Sequence, residues 1–149
     1  MIILRIASGI SDHFPQRVSE WIMTAAILGW SSVLAGDTNT FATSKSFVVL
    51  ASYFSEPNWS LICFIVGMTR LAALVVNGTF RQFAYSPHLR GAASFIACVF
   101  WGQIALGVCL AWWGGGSGTG VVAYCTFMAI EMWNLFRAWA DVGAARKGR

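Results

Sequence analysis

The chain has little charge. Aspartate, glutamate, lysine and arginine make up 11% of its 149 residues, against about 25% in an ordinary soluble domain, and only six residues are acidic. A composition so poor in charge argues against the soluble classes and points to an integral membrane protein whose surface is made against lipid. Histidine is scarce too: His13 and His88 have no cysteine or acid at ligand spacing, so no metal site is expected. Cys63, Cys98, Cys109 and Cys125 each stand alone in an apolar run, with no CxxC pair among them. They read as small hydrophobes, which argues against paired-thiol redox chemistry. Ser, His and Asp are present, but no pattern assembles them into a triad. No catalytic residue and no cofactor site is assigned, and the chain is read as non-enzymatic. The start, MIILRIASGISDHF, is interrupted by Ser, Gly and Asp before an apolar stretch of signal-peptide length, so a cleaved signal is not expected.

What the chain has in quantity is apolar sequence, 57% of its residues, with eight tryptophans. The defining stretch is Trp59 to Asn77, WSLICFIVGMTRLAALVVN, nineteen residues with the single charge Arg70. At about 1.5 Å per residue such a run crosses most of a ~30 Å hydrocarbon core as a helix. Three further stretches match it, giving spans of about 17–35, 57–77, 89–113 and 120–140. The fold class is therefore all-α, a single four-helix transmembrane domain. Gly36-Asp37 ends the first span, and Ser55-Glu56-Pro57 starts the second, with Ser as cap and Pro in the first turn. Phe47 to Phe54 is too short to cross and reads as a short interfacial helix. A second interfacial piece is read at Met1 to Phe14. The run GGGSGTG, Gly114 to Gly120, holds no helix and makes spans three and four antiparallel neighbours.

Four spans put both termini and the middle loop on one side. That side gathers Arg5, Arg17, Arg81, Arg90, Arg137, Arg146, Lys147 and Arg149, eight of the ten basic residues, which places both termini in the cytoplasm. In such a chain a net charge of +4 sets orientation and meets anionic headgroups, so no specific nucleic-acid recognition is expected. Trp59, Trp112 and Trp113 fit an outer aromatic belt and Trp21 and Trp139 an inner one; Trp30, Trp101 and Trp133 lie deeper, at helix interfaces.

Arg70 needs a partner, because a lone guanidinium at bilayer depth costs from about 3 to above 10 kcal/mol. Spans two and four run the same way, so depth is counted from their outer ends. Arg70 lies thirteen residues after Pro57 and Glu131 twelve after Thr119, which makes them level. The expectation is a buried Arg70–Glu131 pair, supported by Gln103 and Asn134, that fixes how the helices dock. One pair and one amide make a thin polar stripe for a wide channel. A small four-helix transporter is the contrasting reading, but its carboxylate would have to be free, and this one is matched by arginine.

The strings Arg70 to Phe80 (RLAALVVNGTF), Ser86 to Arg90 (SPHLR), Phe100 to Gly107 (FWGQIALG) and Glu131 to Ala138 (EMWNLFRA) resemble a group of small multi-span membrane proteins encoded by tailed bacteriophages. The resemblance covers the second to fourth spans. It implies a phage product that meets the host inner membrane: a virion protein ejected ahead of the genome to assist its delivery, or a holin-type lysis or superinfection-exclusion protein. Its location would be the virion, the host inner membrane, or both. Its partners would be the lipid bilayer and further copies of itself or other virion proteins, since its apolar faces need cover outside a membrane.

Overall fold

A computed structural model describes residues 11, 13–37, 39–79, 85–116 and 118–147. Four long helices carry the fold: α1 (Val18–Gly36), α4 (Glu56–Thr79), α5 (Ser86–Trp113) and α6 (Thr119–Lys147). Between α1 and α4 the chain makes two short helices, α2 (Thr40–Thr43) and α3 (Val48–Tyr53), joined by a 3₁₀ turn at Lys45–Phe47. No strand occurs among the described residues. The interfacial helix expected at 47–54 is α3, and the four long helices overlie the four apolar stretches. The interfacial piece expected at 1–14 lies almost wholly outside the described residues.

Local chemistry accounts for the breaks. After Gly36 the Asp37 carboxylate accepts the Asn39 backbone N–H at 2.9 Å, turning the chain away from helix. Glu56 and Pro57 occupy the first turn of α4, and Pro87 that of α5, positions where a missing N–H costs nothing. In the glycine run Gly115 has φ +91°, a conformation that side chains rarely adopt, and the N–H groups of Gly114 and Gly116 cap the carbonyls of Leu110 and Ala111.

Three of the long helices are long and apolar enough to cross a membrane: Val18–Gly36, Glu56–Val76 and Ser86–Trp113. Four were expected. The remaining one, α6, has the length, at 29 residues, but Glu131, Asn134, Arg137 and Asp141 dilute its apolar character.

The helices pack as two antiparallel pairs, α1 with α4 and α5 with α6. The pairs join broadly through α4 and α5 and only narrowly through α1 and α6. Each helix turns one stripe inward at helical spacing. On α1 it is Glu20, Met23, Thr24, Ile27, Ser31 and Leu34; on α5 it runs Arg90, Ser94, Ala97, Trp101, Ile104 and Val108. Within the α1–α4 pair, the Ser31 hydroxyl donates to the Ser60 carbonyl at 2.9 Å, and the Ser60 hydroxyl returns a bond to the Ser31 carbonyl at 2.8 Å. Reciprocal serine bonds of this kind hold apolar helices together where water competes little.

One end of the bundle is aromatic. Trp30 stands edge-on to Phe47, Phe100, Trp101 and Tyr124 with ring centroids 5.3 to 6.2 Å apart. The α2–α3 segment caps this end. The Glu56 carboxylate accepts the Phe41 backbone N–H, and Trp59 Nε1 donates to the Leu50 carbonyl at 2.9 Å. Trp59 is thus buried under α3 rather than held in an outer belt, whereas Trp112 and Trp113 are exposed. Trp133, expected at a helix interface, faces outward.

Two glycines permit close approach. A Cβ on Gly107 would stand 2.6 Å from the Ser46 carbonyl oxygen, and one on Gly67 2.5 Å from a Leu28 methyl. The first obstacle is backbone and cannot yield; the second is the end of a flexible side chain. Gly107→Ala is therefore expected to cost about 1–3 kcal/mol of stability, Gly67→Ala less, and Gly29→Ala, where the new methyl meets nothing, close to none. Unfolding in mixed micelles measures the order.

Candidate functional site

The end opposite the aromatic cap is charged, and its charges lie inside. Arg70 on α4 donates through Nη1 to Glu131 Oε1 on α6, both side chains being shut off from the surface. Asn134, one turn beyond Glu131, donates to the other carboxylate oxygen at 3.5 Å, the far limit of a hydrogen bond, and accepts from the Ser19 hydroxyl of α1 at 2.6 Å. The sequence-derived set is therefore mostly together, with Arg70, Glu131 and Asn134 in contact and α1 joined to them through Ser19. Gln103 is not part of the group. It sits half-buried on α5, and its side-chain oxygen has no partner. It lies nine residues, more than two turns, beyond Ser94, toward the aromatic end.

A second cluster lies nearer the helix ends. Arg90 on α5 grips Glu20 on α1 with two parallel bonds, Nε to Oε2 at 2.8 Å and Nη2 to Oε1. Its Nη1 reaches Asp141 on α6 at 2.8 Å. Arg17 lies 3.4 Å from both Glu20 and Asp141. The bidentate geometry is the strong form of an arginine–carboxylate contact. Arg90 and Glu20 are each 1% exposed and belong to the interior, while Asp141 on the cluster's outer side is 44% exposed.

By sequence, Arg17 and Arg90 fall on the basic side of the membrane and Glu20 and Asp141 at the edges of the first and fourth spans. The missed signal is the stripe. Arg90 stands four and seven residues before Ser94 and Ala97 on the buried face of α5, and Glu20 stands four and seven before Thr24 and Ile27 on that of α1. Because α5 begins at Ser86 and α6 continues past Ala140, Arg90 and Asp141 fall within helices.

The electrostatics nearly close. Arg17, Arg70 and Arg90 meet Glu20, Glu131 and Asp141, so three cations face three anions. The fourth arginine, Arg137, forms no salt bridge among the described residues; it bonds the Gln16 backbone carbonyl, and its charge also acts on Glu20. Among the described residues the Nε and Nη2 of Arg70 meet no acceptor. Among the described residues no group of three His, Cys, Asp or Glu is placed to hold a metal ion. The cysteines are free thiols, Cys63 buried among apolar side chains and Cys125 exposed on α6.

Comparison with protein families, with curated proteins and with solved structures gives no match.

Removing one member of a buried pair leaves the other charged and unpaired, at a cost of about 3–5 kcal/mol. Arg70→Leu and Glu131→Gln should each destabilise on that scale, and the double change should be milder than the sum. Arg90→Leu should cost less, because Arg17 still stands 3.4 Å from Glu20. A double-mutant cycle on unfolding in mixed micelles reads the coupling; strict additivity for Arg70 and Glu131 would mean that the contact does not hold the helices.

Proposed function

We propose that the chain is an integral inner-membrane protein in which α1, α4, α5 and α6 all span the bilayer, the charged end lying in the cytoplasm. One observation carries this reading. The bundle is apolar on its outside, with Ile22, Leu61, Phe64, Phe95, Val99 and Phe136 exposed, while its arginines and acids pair inside. Apolar surface on that scale calls for lipid or another apolar cover. The inclusion of α6 follows the same logic: Glu131 and Asn134, the polar residues at mid-depth, are fully buried and face the bundle, while Arg137 and Asp141 lie toward the helix end.

The role we propose is non-enzymatic, acting through insertion and helix association. The two buried acids at the charged end, Glu20 and Glu131, are each held by arginine, so neither is free to cycle a proton, which favours a docking core over a transporter. The resemblance to small membrane proteins of tailed phages supplies the setting. The chain is proposed to be carried in or ejected from the virion and to assist genome delivery at the host inner membrane, as an oligomer or docked on other virion proteins.

Quantitative mass spectrometry of membrane-free virions, before and after genome release, tests this role. The chain should be present in several copies and lost on release. Its absence from virions, with the protein found only in infected-cell membranes, would replace the delivery role by lysis or exclusion. Expression of the chain alone then separates those two, since a holin collapses the membrane potential.

A further inference from the structure

The narrow side of the bundle is open. Between α1 and α6 runs a groove of about 820 Å³ whose walls include Val18 and Ile22 from one helix and Cys125, Ala129, Ile130 and Trp133 from the other. Toward the aromatic end the same seam continues into a second apolar hollow of about 450 Å³, beside Gly29 and Trp30. The larger volume falls within the roughly 300–1,000 Å³ of ordinary small-molecule sites. Its lining is almost wholly apolar, so whatever fills it is apolar along this length.

The groove ends at a cation. Val122, Thr126, Ala129, Trp133 and Arg137 follow one another at three or four residues, so Arg137 continues the α6 wall one turn beyond Trp133. Its bond to the Gln16 carbonyl, two residues before Val18, ties it to the groove's α1 wall at the same end. Among the described residues it is the arginine of this end that forms no salt bridge, although its charge also acts on Glu20. Arg137 lies eighteen residues after Thr119, about 27 Å along the helix at ~1.5 Å per residue. In a core of ~30 Å that is headgroup depth. A long apolar groove with an arginine outside any salt bridge one turn beyond its lining, at this depth, is complementary to an amphiphile with an anionic head.

We propose that the α1–α6 groove binds one anionic phospholipid of the cytoplasmic leaflet, an acyl chain lying along Ile22, Ala129 and Trp133 and the phosphate on Arg137. This rests on the reading of the chain as a spanning bundle. The lipid fills the seam that protein packing leaves open and sets an anion beside Arg137. Its headgroup contact is electrostatic, and one arginine near a membrane surface favours an anionic lipid about fivefold.

The test uses the full chain in nanodiscs of equal phosphatidylglycerol and phosphatidylcholine, with native mass spectrometry of the released protein. A single-lipid adduct richer in phosphatidylglycerol by about fivefold is expected. Arg137→Gln should bring the ratio to parity, Arg137→Lys should keep it, and Ala129→Trp should remove the adduct of either lipid by filling the groove. Equal retention of both lipids by the unaltered chain would overturn the proposal. So would an unchanged preference in Arg137→Gln, or a lipid-free dimer dispersed by Ala129→Trp, which would make the occupant a second copy. Carbonate extraction of cell membranes separates the two levels. A chain released as soluble protein ends the membrane reading itself, whereas a chain retained without lipid preference ends only the lipid site.

Discussion

A guanidinium enclosed by apolar side chains has to meet an anion, and the bundle's charged half follows from that requirement. Arg70 lies on the inward stripe of α4, between Val66 and Ala73, where no solvent reaches it. Its charge is met by Glu131 on a helix more than fifty residues later in the chain. Arg90 imposes the same demand on α5 and meets it with Glu20 and Asp141. The Arg70–Glu131 and Arg90–Glu20 pairs connect helices that scarcely touch through their backbones, since the broadest contacts are α1 with α4 and α5 with α6. Apolar packing builds the two pairs; ion pairing sets one pair against the other. Such contacts add little net stability compared with apolar replacements, but they penalise any arrangement in which the partners are apart.

The aromatic half uses different physics. Trp30, Phe100, Trp101 and Tyr124 fill the space with edge-to-face rings, and the α2–α3 segment lies over them, admitted by Gly107. No ion pair occurs there among the described residues. Large rings fill volume that arginine–carboxylate pairs fill at the other end, so the bundle stays closed on three sides. On the fourth side α1 and α6 meet only at a few points, Trp30 with Tyr124, Ser19 with Asn134 and Arg17 with Asp141, and a groove runs between them.

Much of this was legible in the residues because membrane spans are written in long apolar runs. The helix positions follow from those runs and from Gly36, Pro57, Pro87 and the glycine turn. Counting rise from the outer ends set Arg70 level with Glu131, which works because helical rise is fixed. What counting does not give is azimuth. Trp59 and Trp133 were placed by depth alone, and each faces the other way: Trp59 turns under α3, and Trp133 turns to the surface. Arg90 and Asp141 were hidden by helices that run beyond their apolar stretches, and Glu20 by its place at a span's edge. The α1–α6 groove has no trace in sequence, because it is a gap between two helices far apart in the chain.

The central claim is that α6 crosses the membrane despite its polar residues, because they pair within the bundle. The most direct measurement is labelling of single cysteines by a membrane-impermeant maleimide in intact cells, on a background with Cys63, Cys98, Cys109 and Cys125 replaced by alanine. Thr119→Cys and Ala144→Cys lie near opposite ends of α6, and both sites are exposed. The account predicts that Thr119→Cys is labelled from outside the inner membrane and Ala144→Cys only after the membrane is opened. Labelling of both from the same side would show that α6 does not span, and the buried ion pairs would then need another setting.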